Sequence, residues 1–259
     1  MNIKNSQHLD KLLIADSFKA SAATYEDNAT VQKEIGQRII NFLEGYESIN
    51  YSRVLEIGCC TGILTRQLVT RREVETIYLN DIVEEFCVKT GERIVKNVKR
   101  VEHLPGDIEQ CILPGNLGLV LSSATFQWIS DLPALLKTIY SALQDGGFLV
   151  FSIFGPGTMK EISALTGRGL HYHSREHLTE MLQEYFRITS LLKEERTIYF
   201  PSVREVLHHI RRTGVGGLGR SRWLPGKFKE FEKQYTARFA TDKGFPVTYA
   251  STFVVAKKK

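Results

Sequence analysis

Long apolar runs are missing from this 259-residue chain. No stretch approaches the ~18 consecutive apolar residues that a membrane-spanning helix needs. The residues after Met1, Asn-Ile-Lys-Asn-Ser-Gln-His, hold no apolar signal core. The expectation is a cytoplasmic protein with no membrane partner. Cysteine is sparse: Cys59, Cys60, Cys87 and Cys111, with no C-x-x-C pair. Adjacent Cys59 and Cys60 make a poor disulfide and a poor metal site, so all four are expected to be reduced, with no metal bound. Repeats and low-complexity linkers are absent. So is any Ser-His-Asp or Cys-His set for nucleophilic catalysis. No RRM, KH or OB signature is visible, and no nucleic-acid partner is expected.

What is present suits one domain, 1–259, large enough to carry an insertion. Its net charge of +5 is unevenly spread. Residues 201–233 carry Arg204, Arg211, Arg212, Arg220, Arg222, Lys227, Lys229 and Lys233 against Glu205, Glu230 and Glu232. Such a segment either meets an anionic partner or is a solvated face.

The stretch Arg53-Val-Leu-Glu-Ile-Gly-Cys-Cys-Thr-Gly62 organises the rest. Val54, Leu55 and Ile57 read as a buried strand. Gly58 ends it, and Gly62 opens a helix carrying Ile63, Leu64, Leu68 and Val69. A strand turning through glycine into a helix is a nucleotide-binding βα unit. Glu56, inside the strand before the first glycine, argues against a pyrophosphate, because a carboxylate repels phosphate. It suits a cationic or amine-bearing ligand.

Residues 8–25 place Leu9, Leu12, Leu13, Ile14, Phe18, Ala22 and Tyr25 at helical spacing. Residues 28–44 do the same with Val31, Ile35, Ile39, Ile40 and Leu43, with Asn28 as the expected N-cap. Strands follow at Val74–Leu79, 98–103, Leu117–Ser122 and Phe148–Phe154. Helices at 83–97 and 132–143 separate them. Strands that alternate with helices and are apolar on both faces predict a parallel sheet. Asp81 ends the second strand, roughly 20 residues past the glycines, where an acid pairs with ribose hydroxyls or caps the loop. Asp107 lies just past the third strand. In the last third, Ser174 caps a helix to Tyr185, Phe186–Phe200 is extended, and Val247–Ala256 is a closing strand. The basic segment between these strands reads as helix, glycine-rich loop, helix. The tail Lys257-Lys258-Lys259 is expected to be disordered. The domain then divides into an N-terminal helical cap (1–45), a sheet core (50–200 and 245–256) and a basic helical lid (201–244).

Glu56-x-Gly-x-x-x-Gly62, Asp81, Asp107 and the Ser-rich end of the fourth strand at Ser123 are similar to the core of class I S-adenosylmethionine-dependent methyltransferases. The resemblance covers about residues 50–160 and the last strand. It implies an α/β, Rossmann-like, seven-stranded, mostly parallel sheet with one antiparallel strand. Where the family pattern usually has Gly, this chain has Cys60, and its backbone is expected to adopt an ordinary allowed conformation there.

Further pieces occur in order: Phe18-Lys-Ala-Ser-Ala-Ala-Thr-Tyr25, Leu79-Asn-Asp-Ile82, Ser122-Ser-Ala-Thr-Phe-Gln-Trp128, Phe151-Ser-Ile-Phe-Gly-Pro-Gly-Thr158, Gly169-Leu-His-Tyr172, Thr213-Gly-Val-Gly-Gly-Leu-Gly219 and Pro246-Val-Thr-Tyr249. Together they resemble the malonyl-(acyl-carrier-protein) O-methyltransferases of biotin synthesis over nearly the whole chain. The resemblance implies that Glu56 and Gly58 hold the methionine part of S-adenosylmethionine, with Gly62 allowing the helix turn. Asp81 would take the ribose hydroxyls and Ile82 the adenine face. Asp107 would take the adenine amino group, with Ile108 on the ring. Ser123 would line the pocket, which Tyr25 and Gln32 would close. Trp128 and Phe126 either line an acyl slot or belong to the core.

The reaction implied is methyl transfer to an ionised carboxylate, which needs no general base. A cation is expected to hold that carboxylate, with His171 first and Arg204 second among His171, His173, Arg204, Arg211 and Arg220. The neighbouring His208 and His209 read as partly buried core and surface. The implied partner is acyl-carrier protein bearing malonyl-phosphopantetheine, docked on the basic segment, with the enzyme acting as a monomer. The alternative is another small-molecule methyltransferase, acting on trans-aconitate or a quinone ring. A dinucleotide-dependent oxidoreductase is disfavoured by Glu56 and the glycine spacing.

Overall fold

The computed structural model describes residues 9–213 and 225–259. Seven strands form one sheet: β1 (Arg53–Ile57), β2 (Val74–Asp81), β3 (Val98–Pro105), β4 (Leu117–Ser123), β5 (Leu143–Phe154), β6 (Phe186–Phe200) and β7 (Phe245–Lys258). Their order is β3-β2-β1-β4-β5-β7-β6. β1 to β5 pair in parallel, and β7 runs antiparallel to both β5 and β6. The chain leaves β1 toward β2 and later returns to β1's other side with β4. The crevice at this reversal is where open α/β sheets bind ligands.

Neighbouring strand residues point to opposite faces, and both faces are covered. Val54 of β1 and Leu119 and Leu121 of β4 pack on one side. That side holds α2 (Thr30–Glu44), α3 (Ile63–Val69) and α4 (Glu84–Ile94). Leu55, Ile57 and Val120 pack on the other, against α5 (Leu132–Ala142) and α7 (Arg175–Gln183). This two-sided burial is why the strands read as nearly continuous apolar runs. A short α6 (Lys160–Thr166), not anticipated from the sequence, follows β5.

The N-terminal cap is α1 (Lys11–Asn28), capped by Asp10 Oδ1 accepting from Leu13 N at 3.0 Å, followed by α2. Asn28 does not cap α2. The break falls at Ala29, which has no side chain to cap with, and Asn28 Nδ2 donates back to Thr24 O at 2.7 Å. α2 is instead held by burial of Val31, Ile35, Ile39, Ile40 and Leu43.

Between β6 and β7 lie α8 (Val203–Arg212) and α9 (Pro225–Phe239), the expected insertion. Val203, Val206, Phe231 and Tyr235 bury it on the core, and Tyr235 OH donates to Pro246 O at 2.5 Å. Most of the glycine-rich loop (214–219), Arg220 and Arg222 lie outside the described residues.

The lysine tail is ordered, contrary to expectation. Lys257 pairs with Phe148 of β5, and Lys258 with Phe186 of β6. Lys258 Nζ donates to Leu143 O at 2.6 Å and lies 4.8 Å from the Tyr140 ring centroid. Backbone pairing on both edges outweighs the solvation that three lysines would otherwise favour. Among the described residues no helix is long and apolar enough to cross a membrane.

Candidate functional site

The turn after β1 is built on backbone freedom. Gly58 has φ +74°, and a Cβ there would lie 2.1 Å from Thr125 Oγ1. Gly62 has φ +79°, and a Cβ there would lie 2.9 Å from Thr90 Oγ1. Neither position accepts a side chain. Cys60 corrects the sequence reading. Its φ is +47°, in the left-handed region, so the loop imposes on a cysteine the conformation that the usual glycine adopts freely. Two bonds hold it there: Thr90 Oγ1 donates to Cys60 O at 3.1 Å, and Cys60 N donates to Asp81 Oδ2 at 2.8 Å.

Asp81 is the centre of this turn. Its other oxygen, Oδ1, accepts from Val83 N at 2.9 Å. Burial raises its carboxyl to about 6, against the opposing pull of those two N–H groups. It therefore caps the loop, and each oxygen keeps a further lone pair for a ligand hydroxyl. Asn80 ties the same corner together: Nδ2 donates to Leu104 O at 2.8 Å and Gly106 O at 3.0 Å.

Asp107 stands at the end of β3, capping the 3-10 turn Ile108–Gln110. Its Oδ1 accepts from Lys11 Nζ at 3.3 Å, and Lys11 also meets Glu109 Oε2 at 2.5 Å. Glu109 further accepts from Ser130 N at 3.0 Å and Asp131 N at 2.8 Å. Burial would raise Glu109, but Lys11 and these N–H groups outweigh it and hold the carboxyl below its ordinary value. α1 is thus pinned across the mouth of the crevice. Midway along it, Phe18 meets the Trp128 ring edge-on, with centroids 5.8 Å apart. Near its end, Tyr25 is buried by Cys60. Burial first, then that thiol, keep the Tyr25 hydroxyl neutral and well above its ordinary range.

These elements enclose a cleft of about 90 Å³. Of the residues chosen from the sequence, Tyr25, Gly58, Asp81 and Ile82 line it, as do Asp107, Ile108 and Ser123. Gln32, Glu56 and Gly62 do not. Gln32 is buried, with Oε1 unpartnered. Glu56 points to the α3 side, where Thr65 Oγ1 donates to its Oε2 at 2.6 Å. It is 1% exposed, and burial raises its carboxyl to about 8, with the Thr65 bond opposing. Glu56 is thus a buried carboxyl bonded to α3 rather than one that faces the cleft.

His171 and Arg204 are both exposed and neither lines the cleft. Arg204 lies over the Phe228 ring, 5.6 Å from its centroid. Among the described residues, neither of these two expected cations stands at the cleft. Phe126 is core, 4.7 Å from Phe151, whereas Trp128 lines the cleft with its indole Nε1 unpartnered. Of the histidine pair, His208 is half-buried and His209 buried, its Nε2 2.8 Å from Tyr249 OH, and burial lowers His209 to about 4. Sequence reasoning missed Lys11, Phe86 and Thr125 at the cleft. The helical spacing of Lys11, Ile14, Phe18 and Tyr25 was the available signal.

Two acids at neighbouring strand ends suit hydroxyl and amine donors. Ile82, Phe86, Ile108 and Ile129 offer apolar walls to a flat ring. Among the described residues, Lys11 is the only Lys, Arg or His lining the cleft, and two carboxylates already hold it. The set fits a nucleoside with a cationic tail and does not fit a pyrophosphate.

A family model described as a methyltransferase domain matches residues 55–151. The malonyl-[acyl-carrier protein] O-methyltransferase of Chlorobium phaeovibrioides is 34% identical over 96% of this chain and 97% of the relative. The protein of the same name from Acinetobacter baylyi is 33% identical over 97% of this chain and 98% of the relative. Among solved structures, the YcgJ protein from Bacillus subtilis aligns with a TM-score of 0.61 at 14% identity, covering 85% of this chain and 97% of that one. The S-adenosylmethionine dependent methyltransferase from Mesorhizobium loti aligns with a TM-score of 0.51 at 16% identity, covering 84% and 96%. These structures share the fold.

Proposed function

The chain belongs to the malonyl-[acyl-carrier protein] O-methyltransferase family, and from that premise we propose how its cleft esterifies the free carboxylate of a malonyl thioester. The observation that carries the reading is the cleft at the sheet's reversal, with Asp81 and Asp107 on adjacent strand ends under α1. S-adenosylmethionine, when bound, supplies a methyl group on a sulfonium sulfur that leaves as a neutral thioether with the bonding pair.

The chain's residues do the rest by position. Asp81 would take the ribose hydroxyls and Asp107 the adenine amino group, with Ile82 and Ile108 against the ring. Gly58 would let the backbone approach the methionine portion, and Tyr25 would cover it from α1. Glu56 supports the turn from beneath through Thr65. With the cofactor bound, its methyl group would pass to a malonyl carboxylate oxygen, giving a neutral methyl ester with no proton transferred. No acid or base is needed, in keeping with a cleft whose titratable groups bind and orient. Water exclusion by α1 protects the geometry.

Esterification removes the charge that makes the malonyl end costly to bury, so apolar elongation sites can accept it. This fits an early step in making the pimelate part of biotin. The carrier protein delivers the substrate, and the exposed cations Arg211, Arg212, Lys227 and Lys229 on α8 and α9 offer it a docking face. The test is incubation with methyl-labelled S-adenosylmethionine and malonyl-acyl-carrier protein. The expected product carries a base-labile methyl ester. No label on the malonyl thioester, with label on trans-aconitate or a quinone instead, overturns the reading.

A further inference from the structure

The malonyl carboxylate must be held by something, and the cleft's charges point away from a protein cation. Asp81 and Asp107 repel an anion. Lys11, the only Lys, Arg or His among the described lining residues, is spent on Asp107 and Glu109. One donor in the same cleft is different in kind. Trp128 is 5% exposed and lines the cleft, and its indole Nε1 has no hydrogen-bond partner. A buried donor without an acceptor is costly, and native proteins keep few of them. Several other lining donors already have local contacts: Thr125 Oγ1 donates to Ser123 O at 3.2 Å, Asn80 Nδ2 donates to Leu104 O at 2.8 Å, and Tyr25 sits against Cys60.

The ring is held rigidly. Trp128 N donates to Thr125 O at 2.9 Å, closing the 3-10 turn Phe126–Trp128. Phe126, in that turn, is locked into the core against Phe151. Gln127 next to it donates Nε2 to Ala124 O at 2.5 Å and accepts from Phe154 N at 3.4 Å. Phe18 fixes the indole from α1. The turn follows β4, beside the Gly58 loop on β1, and just after it Ser130 N and Asp131 N donate to Glu109, which holds Trp128 at the rim of the same cleft.

We propose that the Trp128 indole N–H binds the malonyl carboxylate, fixing the nucleophile by a neutral donor and leaving the sulfonium as its counter-charge. The inference rests on the function proposed above. A guanidinium at this place would repel the sulfonium and draw charge from the attacking oxygen. A neutral N–H orients the anion without doing either. It also distinguishes substrate from product, because a hydrogen bond to a carboxylate is roughly twice as strong as one to a neutral ester. The ester is therefore held more weakly than the acid that formed it.

The experiment pairs kinetics with a direct view of the N–H. Trp128→Phe keeps an aromatic ring and removes the donor. It is expected to raise KM for malonyl-acyl-carrier protein by about 10- to 100-fold, the loss of a hydrogen bond to a charged group. Affinity for the demethylated cofactor, measured by calorimetry, is expected to stay near the parent's. In parent protein saturated with that demethylated cofactor and labelled with ¹⁵N at indole, Trp223→Phe assigns the two tryptophan signals. The Trp128 indole proton is expected to move downfield with malonyl thioester and not with its methyl ester. An unmoved signal overturns the proposal even where Trp128→Phe fails to fold. So does an unchanged KM, or a loss confined to cofactor affinity. A parent enzyme that never esterifies malonyl thioesters overturns the function instead, which the labelled assay detects separately.

Discussion

Cys60 carries a left-handed backbone at φ +47° where glycine would carry it without penalty. The conformation costs an L-residue roughly 1–2 kcal/mol, and the extra freedom of an unfolded glycine offsets roughly half of that. Cys60→Gly is therefore expected to stabilise the protein by about 0.5–1 kcal/mol with cofactor affinity retained, as read from urea unfolding and calorimetry. A net loss of stability would show that the thiol's contact with Tyr25 outweighs the strain. Glu56 makes a second prediction. Burial raises its folded carboxyl to about 8, from an ordinary value of 4.5, so the folded state binds the proton more tightly than the unfolded one. That contribution to stability is complete below the unfolded value and is lost as pH rises through about 8. Glu56→Gln, which cannot ionise, should flatten the decline of Tm over this range. Parallel Tm curves for variant and parent would place the pH dependence elsewhere.

At the scale of elements, α1 decides whether the cleft is a pocket or an open crevice. It is fastened by Lys11 to Asp107 and Glu109, by Phe18 to Trp128, and by Glu26 to Arg66 and Arg93 at 3.2 and 2.5 Å. Its C-terminal end touches the insertion, where Thr24 Oγ1 donates to Arg212 O at 3.4 Å. A partly exposed ion pair contributes only about 0.5–1 kcal/mol, so cutting one should loosen the cap without unfolding the domain. Lys11→Met keeps the stem and removes the charge. Faster hydrogen exchange is expected in the first turns of α1, with α2 unchanged and the cofactor leaving several-fold faster in stopped flow. Unaltered exchange in α1 would mean that Phe18 and Glu26 suffice as fasteners.

At the scale of the molecule, the cleft lies where the sheet reverses, and the proposed function docks the carrier protein on the insertion between β6 and β7. Its exposed cations suit an acidic carrier protein, and such contacts act mainly on association and are screened over ~8 Å at physiological ionic strength. Arg211→Glu with Lys227→Glu should slow malonyl-acyl-carrier protein at low salt by about tenfold or more. Free malonyl-coenzyme A should be affected far less, and added salt should reproduce the variant's defect in the parent. Equal rates for variant and parent on the carrier substrate at low salt would make the basic face a solvated surface only.

Much of this was legible in the chain itself. Apolar periodicity located the strands, and parallel pairing followed from their two-sided apolarity. The glycine turn with Asp81 and Asp107 marked the crevice, because strand ends and backbone freedom are local properties. Tertiary structure alone decided the rest. The same Glu56 that reads as a ligand is turned beneath the loop and raised by burial, since strand parity sends it to the α3 face. Lys11, distant in sequence, reaches Asp107 only because α1 crosses the sheet. The lysine tail is ordered because β5 and β6 pair with it on both sides. Trp128 differs from Phe126 only in which side of one 3-10 turn meets the cleft, and no sequence pattern states that side. Spacing fixes which residues can share a face; packing fixes what that face touches.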